Sequence, residues 1–66
     1  MSDRIEVTTT DGEVIGCYIG DRLTHQIFGV SGVILGAKDN KVQLRPDGHQ
    51  DVEIEITADN LQSYWE

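Results

Sequence analysis

Three glycines in eight residues, Gly29, Gly32 and Gly36, sit among Val30, Val33, Ile34 and Leu35. This stretch constrains the chain more than any other. Spacings of three and four fit a helix face, yet three glycines cost a helix roughly 2–3 kcal/mol relative to alanine. The β-branched neighbours favour an extended strand. The stretch therefore reads as a buried strand whose glycines mark bends or bulges. It lies inside a longer unit from Gly20 to Pro46, which runs as a turn, an irregular extended segment from Arg22 to Phe28, the glycine strand, a polar turn at Lys38–Lys41 and a second strand. Leu23, Ile27 and Phe28 are the expected anchors of the irregular segment, and Asn40 is the expected left-handed residue of the polar turn.

The flanks repeat the strand pattern. Ile5–Thr9 alternates apolar and polar residues, and Asp11-Gly12 signals a hairpin. A two-residue turn would pair Val7 with Gly16. A Thr10-Asp11-Gly12 loop with Gly12 left-handed pairs Val7 with Ile15 and Ile5 with Cys17, which gathers the apolar side chains on one face and is preferred. Val52–Ile56 alternates cleanly, and pairing about the Pro46–Asp51 loop sets Leu44 opposite Ile54 and Arg45 opposite Glu53. Thr57 or Asp59 caps a short helical turn near 58–61, followed by a final strand or docked tail over 62–66. The expected fold is all-β: a small antiparallel barrel of five to six strands in a single domain, with residues 1–19 as an added hairpin and 20–66 as the barrel core.

Length and charge restrict the function. A chain of 66 residues buries only about 60% of its unfolded surface, and the single Cys17 offers no disulfide and no zinc set. A closed barrel or a homo-oligomer would supply the missing stability. Twelve Asp/Glu against five Lys/Arg oppose non-specific phosphate binding and favour either solubility or a basic partner. No apolar run approaches the roughly 18 residues of a membrane span, and no leader-like segment opens the chain. A cytoplasmic protein is expected.

The order Gly20-Asp21-Arg22-Leu23, Gly29-x-x-Gly32-Val33-Ile34, Val42-x-Leu44 and a last segment after a helical turn resembles the SH3-like small barrels of bacteria and phages, including KOW-type domains. The resemblance covers about residues 20–66. It implies a binding or assembly module, with nucleic-acid association as the KOW-type alternative. It also brings in the oligomeric type II dihydrofolate reductases. Their Val-Gln-Ile-Tyr strand would fall at Val52-Glu53-Ile54-Glu55, where the groups that hold an anionic cofactor are replaced by acids.

The candidate residues follow from these readings. His25 and His49 lack a local nucleophile and acid arrangement, so no catalytic residue, metal ligand or cofactor is assigned. Cys17 at an inward position is a small core residue. The expected role is non-catalytic protein binding, through a groove beside the irregular segment formed by Arg22, His25 and Phe28 with Tyr64 and Trp65. One of the two terminal aromatics is expected to seal the core. The nucleic-acid alternative uses Lys38, Lys41 and Arg45, whose simplest role is to offset Glu53 and Glu55. An acidic mimic that occupies a DNA-binding partner is a further alternative.

Overall fold

The computed structural model describes residues 3–65. Six strands precede one helix: β1 (Arg4–Thr8), β2 (Val14–Tyr18), β3 (Arg22–Thr24), β4 (Ser31–Lys38), β5 (Lys41–Pro46), β6 (Ile54–Thr57) and α1 (Ala58–Tyr64). All pairings are antiparallel. The all-β expectation holds, but the strands do not close into a barrel. They divide into a two-stranded sheet, β1-β2, and a four-stranded sheet in the order β3-β4-β5-β6. Gly20, at φ +97°, bends the chain out of the first ladder, and its N–H donates to the Ile34 carbonyl at 2.9 Å as the second begins.

The first hairpin adopts the preferred register, with Val7 opposite Ile15 and Ile5 opposite Cys17. The Thr9 N–H donates to the Glu13 carbonyl at 2.8 Å, and Gly12 closes the three-residue loop at φ +89°. At the other hairpin both Asp39 and Asn40 are left-handed, at φ 53° and 61°, which is the geometry of a type I′ turn. Asn40 was expected in that conformation; Asp39 was not.

Side chains bridge the seam between the sheets. The Thr8 N–H donates to Asn40 Oδ1 at 2.8 Å, and Asn40 Nδ2 donates back to the Thr8 carbonyl at 2.7 Å. The amide thus occupies the outer edge of β1 as a further strand residue would. Thr10 donates to Asp59 from its N–H at 3.2 Å and from Oγ1 at 2.5 Å, and Gln62 donates to Glu13.

The core beneath the seam is Val7, Ile34, Val42, Leu44, Ile56, Ala58 and Leu61. Gly32 borders it, opposite Pro46 on β5. A Cβ there would stand 2.6 Å from the Arg45 carbonyl oxygen and 2.9 Å from Leu44 Cγ. Gly36 marks a bulge: Ile34 pairs with Leu44 and Gly36 with Gln43, leaving Leu35 without a partner.

Three local expectations are corrected. Val52 and Glu53 lie outside β6, because the Val52 N–H donates to the His49 carbonyl at 3.2 Å and extends the turn. Leu44 does pair with Ile54, but the ladder stops there, one residue short of an Arg45–Glu53 pair. The expected turn at 58–61 is a seven-residue helix capped by Thr57, whose Oγ1 accepts from the Asn60 N–H. Gln62–Tyr64 are therefore helical, and only Trp65 makes a strand-like bridge, to His25. Glu66 lies outside the described residues.

Candidate functional site

The irregular segment after β3 folds back as a tight tip. The His25 N–H donates to the Val30 carbonyl at 2.7 Å, and the Gly29 N–H donates to the His25 carbonyl at 2.9 Å. Gly29 takes the left-handed conformation, φ +72°, that the reversal demands. The imidazole holds the tip from inside: Nδ1 accepts from the Ile27 N–H at 3.2 Å and from the Phe28 N–H at 3.1 Å. An accepting Nδ1 carries no hydrogen, so Nε2 is the protonated nitrogen in this arrangement.

The same ring is the centre of an aromatic cluster. Phe28 stacks on it at 4.7 Å with the planes 28° apart, and Tyr64 stacks at 5.5 Å and 12°. Trp65 meets it edge-on at 5.1 Å and 89°. The Gln26 N–H donates to the Tyr64 carbonyl at 2.7 Å, so backbone and rings together tie the tip to the end of α1. Aromatic pairs in such geometries each contribute about 0.5–1.5 kcal/mol beyond burial.

The cluster has a sealed end and an open end. Trp65 is half-buried and packs on the core. Phe28 is 78% exposed and Ile27 67% exposed, with Val30 and Tyr64 also open to solvent. Phe28 and Ile27 do not hold the irregular segment to the core as expected. The tip that His25 organises carries them outward, away from the core that Leu23 reaches from the half-buried side of β3.

No family model, curated protein or solved structure matches this chain. What the site can do rests on its own chemistry.

Of the five residues expected to form the groove, the structure unites His25, Phe28, Tyr64 and Trp65. Arg22 is not among them. Its guanidinium pairs with Asp47, a surface bridge of the kind worth about 0–1 kcal/mol. Ile27 and Val30 belong to the open apolar surface but were not counted in the groove. Their exposure depends on the tip, whose signal is the reversal between His25 and Gly29.

The residues of the nucleic-acid alternative share one sheet face. Lys38 is opposite Lys41, and Arg45 is opposite Val33, whose other neighbour is Arg22. Alternation along β5 puts Lys41, Gln43 and Arg45 on that same side. The ion pairs among the described residues are Arg4–Glu6 and Arg22–Asp47, so Lys38, Lys41 and Arg45 do not pair with Glu53 or Glu55. A separate crevice of about 270 Å³ opens between Thr8–Thr10, Asp39–Lys41 and Thr57–Asp59. The seam bonds of Asn40 and Asp59 fall within its lining.

Cys17 packs against the core from β2. Burial, and then the nearby Asp21 carboxylate, push its thiol above the ordinary value, while Arg4 pulls the other way. A thiol held in the protonated form is a poor nucleophile at neutral pH. Iodoacetamide should therefore label native Cys17 several-fold more slowly than the urea-unfolded chain at the same pH; equal rates would show the thiol to be open. The raised value also sets a sign. Its stabilising contribution is fully present below the unfolded thiol value and is lost as pH rises through the folded one.

Proposed function

We propose that this chain is a non-catalytic protein-binding module that presents Phe28 and Ile27 as its anchor. The carrying observation is the exposure of Phe28 on an ordered stack. A large ring left at 78% exposure would ordinarily be mobile, yet Phe28 is fixed by the His25 ring below it and by its own N–H bond to Nδ1. A rigid exposed aromatic loses little conformational entropy on binding, the property that distinguishes interface hot spots. The net charge of −7 favours a partner that surrounds an apolar pocket with Lys or Arg. Strand order and the helix before the end support reading the fold as an opened SH3-like module, acting in the cytoplasm with Cys17 as a free thiol.

The test is capture from a lysate of the source organism on immobilised protein. Phe28→Ala should lower retention of the specific partner by tenfold or more, in line with hot-spot losses of about 2 kcal/mol or above. Its melting temperature should fall by no more than about 10 °C, the loss of the stack on His25, because the ring contributes little to the core. Undiminished capture by a folded Phe28→Ala chain would refute the anchor.

The basic sheet face favours a second reading as a polyanion-binding module. Lys38, Lys41 and Arg45 lie on one face without ion-pair partners among the described residues, which leaves them open to phosphate contacts, although Glu55, opposite Gln43, shares that face. Salt-sensitive retention on heparin that disappears in the Lys38→Gln, Lys41→Gln, Arg45→Gln variant would support it. Passage of the parent chain without retention at low salt would exclude it.

A further inference from the structure

The two sheets leave strand edges, and the chain covers them unequally. Asn40 occupies the outer edge of β1 at Thr8. Trp65 bridges to His25 just beyond β3. The outer edge of β6 carries Glu55, a charge of the kind that blocks edge pairing. The outer edge of β2 has none of these devices. Its sequence, Val14-Ile15-Gly16-Cys17-Tyr18, has no charge and no proline, and its pairing among the described residues is to β1 alone.

The ladder fixes which groups point outward. Thr9 bonds to Glu13 and Ile19 to Asp3, so the odd positions of β2 exchange hydrogen bonds with β1. Antiparallel ladders alternate, and the N–H and C=O groups of Val14, Gly16 and Tyr18 therefore face away from β1. One of these six groups, the Tyr18 carbonyl, accepts a bond at 3.2 Å, from the Asp21 N–H.

We propose that this edge pairs with the same edge of a second copy, antiparallel and centred on Gly16, to give a four-stranded sheet in the order β1-β2-β2-β1. The edge is self-complementary in this register. Gly16 faces the second copy's Gly16, and Val14 faces the second copy's Tyr18 on both sides of the axis, with every outward group meeting an outward group. Val14 is 60% exposed and Tyr18 45% exposed in the single chain, and a β-branched residue opposite an aromatic is a favourable cross-strand pair. Gly16 adds no side chain at the axis, where the Arg4 guanidinium already lies over it. On the core face, half-buried Ile15 and Cys17 face one another across the pair. Two chains each of net charge −7 repel, and the β2 edge residues add no acid to the contact; the charges beside the axis are the two Arg4 guanidiniums, each paired with Glu6 of its own chain at 3.0 Å. This association is independent of the aromatic tip.

Sedimentation velocity at physiological salt, from micromolar to millimolar chain, reads the proposal. The expected result is a concentration-dependent shift from 7.3 kDa to twice that mass. Val14→Lys combined with Tyr18→Lys sets two lysine pairs face to face and should raise the dissociation constant by about tenfold or more. Val52→Lys, at an apolar site about as exposed as Tyr18 and outside β2, should leave it unchanged. Hydrogen exchange of the unsubstituted chain gives a second readout: the Val14, Gly16 and Tyr18 amides should gain protection as concentration rises. A chain that stays monomeric throughout, a dimer that persists in the folded double-lysine variant, a dimer lost in Val52→Lys, or edge amides whose exchange ignores concentration would each overturn it.

Discussion

Gly32→Ala should be among the most damaging single-methyl substitutions in this protein. The added Cβ meets the Arg45 carbonyl at 2.6 Å and the Leu44 side chain closer than van der Waals contact allows. Leu44 can rotate only into a filled core, since it is fully buried, and the Arg45 carbonyl belongs to the backbone of β5. Overpacking of this kind costs about 1–3 kcal/mol. In a domain this small that lowers the melting temperature by on the order of 10–20 °C. Gly36→Ala is the matched control. Its Cβ would meet only Gln43 Oε1, at 3.7 Å, and the loss of glycine's unfolded-state freedom should leave it neutral or slightly more stable. Equal melting temperatures for the two variants would show that β4 and β5 can separate without cost.

Asn40→Ala should be of similar consequence for a different reason. Two hydrogen bonds to the Thr8 backbone disappear, each worth about 0.5–1.5 kcal/mol, and alanine must hold a left-handed φ of 61° at roughly 1–2 kcal/mol. Together these give a loss of about 2–5 kcal/mol in urea unfolding. Asn40→Gly removes the backbone cost and keeps the loss of the bonds, so it should recover roughly half. If glycine restored full stability, the bridge to Thr8 would contribute nothing.

Much of the fold was legible because alternation admits few solutions. Only the three-residue loop puts Ile5, Val7, Ile15 and Cys17 on one face, and that is the register found. The glycine stretch was assigned to a strand by propensity, and the bulge at Gly36 follows from the same reading. Val52–Ile56 misled because period-two hydrophobicity says nothing of which N–H a turn has already claimed. The helix extends past the expected turn because Ala58, Leu61, Tyr64 and Trp65 recur at helical spacing, a period too short beside the end of a strand to outweigh a docked tail.

The candidate site was half legible. Four aromatic members could be named, but their meeting depends on a fold-back and a terminal bridge that no local pattern encodes. Phe28 is expected both to anchor the irregular segment and to line the groove, and the tip geometry, which leaves it 78% exposed, is compatible with the second alone. Arg22 is set apart by the regular strand β3 that carries it, where the sequence suggests an irregular segment. It lies three residues before His25, and an odd spacing on an extended strand sends two side chains to opposite faces. Its pairing with Asp47 agrees with that parity.

The seam between the sheets has a consequence for how the molecule opens. Within each sheet, backbone ladders join neighbouring strands; between β1-β2 and the rest, the contacts are side-chain bridges from Asn40, Asp59 and Gln62 above buried Val7 and the half-buried Ile5, Ile15 and Cys17. A boundary of that kind is where a native protein first comes apart. The first hairpin should behave as a separate cooperative unit that swings off while the four-stranded sheet remains whole, so its ladder amides, Ile15 and Cys17 included, should exchange as one group and well before those of Val42 and Leu44.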